Sequence, residues 1–203
     1  MTGKFISFEG GEGAGKSTQI ARLAARLRAA GRAVTETREP GGTPGAEAIR
    51  ALLVSGTADR WDAITEALLM NAARADHVTR VIRPALAAGQ VVLCDRYVDS
   101  TLVYQGQAGD LSALRQLHKY ATGNLWPDLT LWLDLPVKQG LIRASTRGDS
   151  GRFEAKGLAF HERVRAGFAA LAAAEPARVM RVDASGDEEA VAERVWGAVA
   201  WRL

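Results

Sequence analysis

Residues 10–17 read Gly-Gly-Glu-Gly-Ala-Gly-Lys-Ser and fill the pattern G-x-x-x-x-G-K-[ST] without a mismatch. The pattern constrains the fold because it works only between a strand and a helix. Gly10, Gly13 and Gly15 permit a tight turn whose N–H groups point inward at phosphate oxygens. Lys16 is spaced to reach two phosphates, and the Ser17 hydroxyl is placed to ligate Mg²⁺. The required context surrounds it. Lys4 to Phe8 alternates and is rich in strand formers, whereas Ile20, Leu23, Ala24 and Leu27 recur at helical spacing. A helix is therefore expected to start near Lys16 with its positive end facing an anion.

Further along, segments 4–9, 33–37, 91–95, 129–134 and 178–182 read as short buried strands separated by helical patterns. Such alternation predicts an α/β P-loop NTPase fold, a five-stranded parallel sheet with helices on both faces. The 203 residues suit one domain, 1–203, with no linker or repeat. From Thr65 to Leu86 the apolar positions Leu68, Leu69, Ala72, Ala73, Val78, Val81 and Ile82 trace a long helix, with Pro84 marking a kink or interruption. Residues 154–174 and 187–202 read as two more helices. Between helical patterns, Thr146 to Gly151 carries Gly148 and Gly151, which suits a hinged lid at about 143–153.

Several classes are disfavoured. With 26 Lys+Arg against 23 Asp+Glu, the excess of +3 is too mild to require nucleic acid as a partner. The single Cys94 follows Val91-Val92-Leu93 and reads as a core thiol in a reducing compartment. His77, His118 and His161 lack metal-ligand spacing. The chain enters its first strand at once, without room for a signal peptide, and the Ala166–Ala174 run is too short for a bilayer. These features together imply a cytoplasmic protein without membrane contact.

A phosphate loop alone leaves the reaction open, and the rest of the chain narrows it. No Asn-Lys-x-Asp motif for guanine is present, and the strand at 91–94 ends in Asp95-Arg96-Tyr97 rather than in Asp-Glu. Asp95 is placed to join the Mg²⁺ shell, and Arg96 offers a bidentate fork to a second phosphate. Lys16 is the sole cation of the loop, so phosphoryl transfer needs added positive charge. Arg147 and Arg152, in the Gly-punctuated segment, are candidates for a lid that supplies charge and excludes water; a solvated basic loop is the alternative.

These motifs, in order, resemble those of the thymidylate kinase family over nearly the whole chain. They are Phe8 to Thr18, Arg38-Glu39-Pro40-Gly41-Gly42-Thr43-Pro44 with Glu47 to Arg50, and Asp95 to Ser100 running on to Tyr104-Gln105-Gly106. Pro127 to Thr130 with Leu133-Asp134, and Phe160 to Arg165, complete the set. The resemblance implies ATP on Gly10, Gly11, Glu12, Gly13, Ala14, Gly15, Lys16, Ser17 and Thr18, with Mg²⁺ near Ser17 and Asp95. It implies phosphorylation of dTMP to dTDP, with Arg50 and Arg96 at the dTMP phosphate, Arg38 among the dTMP-binding residues and Arg74 at the pyrimidine edge. Thr101 and Gln105 would line the base pocket, Tyr104 would meet the deoxyribose, and Glu12 would address the 3′-hydroxyl. Lys16, Arg96, Arg147 and Arg152 would form the catalytic set, as in family members with basic residues in the lid, and the enzyme would be a homodimer packed through helices. The chain departs from the family at Met70, where a Phe usually stacks on thymine, and at Ala46, usually Gly. Met70 keeps open a kinase for another nucleoside monophosphate; a P-loop ATP-binding module acting on nucleic acid or protein is the reading from another class.

Overall fold

The computed structural model describes residues 3–57, 59–106, 110–146 and 156–202. In chain order the elements are β1 (Lys4–Glu9), α1 (Lys16–Ala29), β2 (Val34–Arg38), α2 (Pro44–Val54) and α3 (Ala63–His77). A π-helical turn, Val78–Ile82, joins α3 to α4 (Arg83–Ala87), followed by β3 (Val91–Asp95), α5 (Val98–Tyr104) and α6 (Leu111–Thr122). The chain continues through β4 (Leu129–Asp134), α7 (Val137–Thr146), α8 (Leu158–Ala174), β5 (Val179–Asp183) and α9 (Glu188–Val199).

All strand pairs are parallel, in the order β2-β3-β1-β4-β5, so β1 lies at the centre. Alternate residues of β1 serve the two faces. Ile6 and Phe8 pack with Leu23, Leu27, Val191 and Val195 of α1 and α9, whereas Phe5 packs with Val78, Ile82, Tyr97 and Leu102 on the other side. A third cluster, Trp132, Val164, Phe168 and Val179, seats α8 on β4 and β5. The expected five strands appear within one residue of their predicted bounds.

The long helical pattern at 65–86 is interrupted, and the interruption precedes Pro84 rather than following it. Proline has no N–H to give the carbonyl four residues back, and the backbone widens into the π turn ahead of it. The last two helices are shorter than their apolar patterns suggest. α8 begins at Leu158 after Gly157, and α9 begins at Glu188 because the Asp187 carboxylate caps the Ala190 N–H at 2.8 Å. Among the described residues, no helix is long and apolar enough to cross a membrane.

β1 leaves the sheet toward β2 and β3 leaves toward β4, on opposite sides of the centre. Their carboxyl ends thus flank the crevice where open α/β sheets bind ligands, and both Glu9 and Asp95 end there.

Candidate active site

The loop after β1 owes its shape to glycines. Gly10, Gly13 and Gly15 all have positive φ, and Gly15 ends the loop in the left-handed region directly before α1. No side chain caps α1, which leaves its first N–H groups to the loop mouth. A Cβ on Gly13 would lie 2.0 Å from the Gly140 carbonyl oxygen, and a Cβ on Gly140 would lie 2.3 Å from that of Glu12. α7 therefore docks backbone to backbone on the loop. Gly140 escaped the sequence reading, since a single Gly inside a helical pattern carries no visible partner.

Lys16 is buried, and its ammonium donates to the carbonyls of Gly11 at 3.0 Å and Gly10 at 3.4 Å. Burial and the nearby Arg96 charge both lower its pKa. Gly11 and Ala14 complete the turn, and Thr18 continues α1 beside Ser17. The Ser17 hydroxyl donates to the Asp95 carboxylate at 2.7 Å, which joins the loop to the end of β3.

Arg96 follows β3 in a left-handed conformation at φ 67°, unusual for a residue with a side chain. Its guanidinium donates to Glu12 at 2.7 Å, to the Gly10 carbonyl at 3.0 Å and to the Ser100 hydroxyl at 3.1 Å, and lies 5.2 Å from the Tyr104 ring centre. The Tyr104 hydroxyl also donates to Glu12, at 3.2 Å. Burial alone would raise the Glu12 pKa, but Arg96 and Lys16 pull it below the ordinary carboxylate value. Glu12, Arg96 and Tyr104, far apart in the chain, thus meet.

Two more arginines converge here. Arg50 donates to the Pro40 carbonyl at 2.8 Å, and Arg38 grips Glu47 at 3.1 and 3.2 Å. Burial, then the charges of Arg38 and Arg96, lower the Arg50 pKa, as expected for like charges gathered at one place. An anion with several oxygens relieves such crowding.

Glu66, Met70 and Arg74 occupy successive turns of one α3 stripe, which faces Thr101 of α5 and Gln105 at its end. Gln105 donates to Glu66 at 2.9 Å and Arg74 to Thr101 at 3.0 Å, so two buried links bracket the half-buried Met70. Arg74 also donates to Glu39 at 2.7 Å and to Asn71 at 3.3 Å, and is only 2% exposed. The other Glu39 oxygen meets His77 Nδ1 at 3.0 Å, and His77 Nε2 meets Thr37 Oγ1 at 2.6 Å. Burial opposes the Arg74 charge, and Glu39 leads the interactions that override it. Sequence reasoning did not single out Glu66 or His77 as site residues. Glu66 lies one turn before Met70, and that spacing was its available signal.

Arg147 and Arg152 lie outside the described residues. Arg143, at the end of α7, reaches the Gly186 carbonyl at 3.4 Å. Among the described residues no cluster of three or more His, Cys, Asp or Glu side chains could hold a metal ion.

A glycine loop between strand and helix, at the centre of a parallel sheet, defines a P-loop protein that handles nucleotide phosphates. The family model for thymidylate kinase matches residues 8–195. The thymidylate kinase of Caulobacter vibrioides is 60% identical over 203 residues, covering 99% of this chain and 98% of the relative. That of Rhizorhabdus wittichii is 53% identical, with 98% of each chain covered. Among solved structures, the thymidylate kinase from Ehrlichia chaffeensis matches with a TM-score of 0.78 at 31% identity, over 98% of this chain and 99% of that one. The chain belongs to the thymidylate kinase family.

Proposed function

We infer that this kinase transfers the γ-phosphoryl group of ATP to the 5′-phosphate of dTMP, giving dTDP and ADP. The bond from the γ-phosphorus to its bridging oxygen breaks as a dTMP phosphate oxygen bonds to that phosphorus. The acceptor is already an oxyanion, so no general base is needed. The observation that carries the reading is the arginine group Arg38, Arg50 and Arg96 gathered beside a loop whose own cation is Lys16. One group suits the acceptor's phosphate and the other suits the donor's.

On this reading Gly10 to Thr18 cradle ATP, with Lys16 and Arg96 facing the transferring charge. Arg74, Met70, Thr101 and Gln105 form the wall against the base, and Tyr104 meets the sugar. Glu12, drawn toward Arg96 and Tyr104, faces the 3′-hydroxyl. Ser17 and Asp95 are hard oxygen donors at the loop mouth, and they fit Mg²⁺, which takes one or two protein oxygens besides phosphates. When bound, the ion neutralises charge on the β- and γ-phosphates. The segment at about 143–153 serves as the lid of a single domain, with Arg147 and Arg152 supplying further charge.

The enzyme works in the cytoplasm as a homodimer, a reading supported by its one buried thiol and by an apolar stripe. Ile64, Leu68 and Ala72 are exposed at four-residue spacing along α3, and Leu52 of α2 is exposed as well. The test of function is ADP release with dTMP, dUMP, UMP, CMP, AMP and GMP offered singly. A strong preference for dTMP is expected. Preference for another monophosphate would move the specificity to that base, and ATP hydrolysis driven by nucleic acid without an acceptor would contradict the kinase reading.

A further inference from the structure

Glu9, the last residue of β1, is wholly buried. One carboxylate oxygen accepts the Tyr97 N–H at 2.7 Å, and the other accepts the Ser100 hydroxyl at 2.6 Å. Both partners belong to Arg96: Tyr97 is its next residue, and Ser100 Oγ accepts a guanidinium N–H of Arg96 at 3.1 Å. The Arg96 backbone needs such support, because a left-handed φ of 67° persists only where the surroundings over-determine it. Its N–H donates to the Phe8 carbonyl at 2.9 Å, and the Cys94 thiol donates to its carbonyl at 3.0 Å.

We propose that Glu9 is a positioning residue for Arg96, fixing the turn through Tyr97 and the guanidinium through Ser100. A carboxyl group has two separate oxygens, one for each link, which neither an apolar side chain nor a hydroxyl has. Electrostatics make it a costly choice as mere filling. Burial and then the neighbouring Asp99 push its pKa up to about 8, against Ser100 and Arg96, which lower it. An apolar side chain would occupy the same volume without burying a polar group. The geometry therefore assigns the acid to its two hydrogen bonds and, through them, to the aim of Arg96.

The inference rests on Arg96 as a ligand of the acceptor phosphate, so Arg96→Ala is measured alongside Glu9→Ala, Glu9→Gln and Ser100→Ala. Thermal melting first establishes which variants fold. Misplacing a binding group by about 1 Å costs up to about 10²-fold. Glu9→Ala is therefore expected to lower kcat/KM for dTMP by about that factor, and Ser100→Ala by about tenfold, with the KM for ATP within about twofold of the parent. Glu9→Gln keeps an acceptor for Tyr97 and should recover part of the loss. Ser100→Ala should add no further loss on the Arg96→Ala background. Folded variants with unchanged dTMP kinetics, equal losses toward ATP and dTMP, or additive losses with Arg96→Ala would overturn the proposal. If Glu9→Ala does not fold, Ser100→Ala and Glu9→Gln decide by the same criteria. An Arg96→Ala enzyme with normal dTMP kinetics would overturn both the Arg96 assignment and this one; a crippled one beside normal Ser100 and Glu9 variants would overturn this one alone.

Discussion

Around residues 10–17 the phosphate loop is made of backbone, with positive-φ glycines, a helix start without a side-chain cap and one buried ammonium. The proposed acceptor wall is made of buried and half-buried side chains from β2 and the residue after it, α3 and α5, joined as Thr37, His77, Glu39, Arg74 and Thr101. The two carboxylates beside the loop show the same contrast. Glu12 stands close to Arg96 and Lys16, which lower its pKa, whereas burial and the neighbouring Asp99 push the Glu9 pKa up to about 8. Backbone sites tolerate changes that leave the turn alone, whereas a site of buried charges depends on every partner at once.

The hardest blow to the wall is loss of the carboxylate shared by Arg74 and His77. Stranding a buried charge costs about 3–5 kcal/mol, so Glu39→Gln should lower stability by that order, read from denaturant unfolding. An unchanged midpoint would mean that the network does not bear on stability. On the other side, Lys16→Met should cut kcat by about 10²–10³-fold or more with little change in melting temperature, because it removes charge stabilisation from the moving phosphoryl group. Near-normal turnover would remove Lys16 from the mechanism.

Gly140→Ala probes the seat shared by the loop and α7. Its Cβ would lie 2.3 Å from a backbone oxygen of Glu12, which has no rotamer to escape into. A loss of about 1–3 kcal/mol is expected, with ATP kinetics hit harder than dTMP kinetics. Equal effects on both substrates would blur the division between the two regions. The remaining test is a slope with pH. Burial and Asp99 raise the folded Glu9 pKa from the ordinary 4.5 to about 8. Between those values the unfolded chain binds fewer protons, so this group lowers stability as pH rises. Glu9→Gln should lack that slope, and its melting temperature should climb relative to the parent's from pH 5 to 8. A flat difference would place the Glu9 pKa near its ordinary value.

The same division governed what the sequence made legible. The loop is contiguous, so its glycines, Lys16, Ser17 and the flanking strand and helix could be read directly, and the alternating pattern led to the parallel sheet. Asp95 and Arg96 were legible as a charged pair at a strand end. The wall was harder to read, because its partners are distant in the chain: Glu39 and Arg74 are 35 residues apart, and Glu66 and Gln105 are 39 apart. Family resemblance pointed to Arg74, Thr101 and Gln105, but no local pattern revealed Glu39 as the carboxylate holding Arg74 and His77. Glu9 was hidden in another way, since the last residue of the strand 4–9 shows nothing of the distant Tyr97 and Ser100 that its side chain meets. The π turn also escaped, because periodicity marks an apolar face and not the hydrogen-bond ladder beneath it.

The central claim is that donor and acceptor sites are separately built, and calorimetric titration of ATP and of dTMP into Lys16→Met and Glu39→Gln tests it most directly. The account predicts a crossover: Lys16→Met weakens ATP binding and leaves dTMP affinity within about twofold, whereas Glu39→Gln weakens dTMP by about tenfold and spares ATP. Parallel losses of both ligands in both folded variants would contradict it.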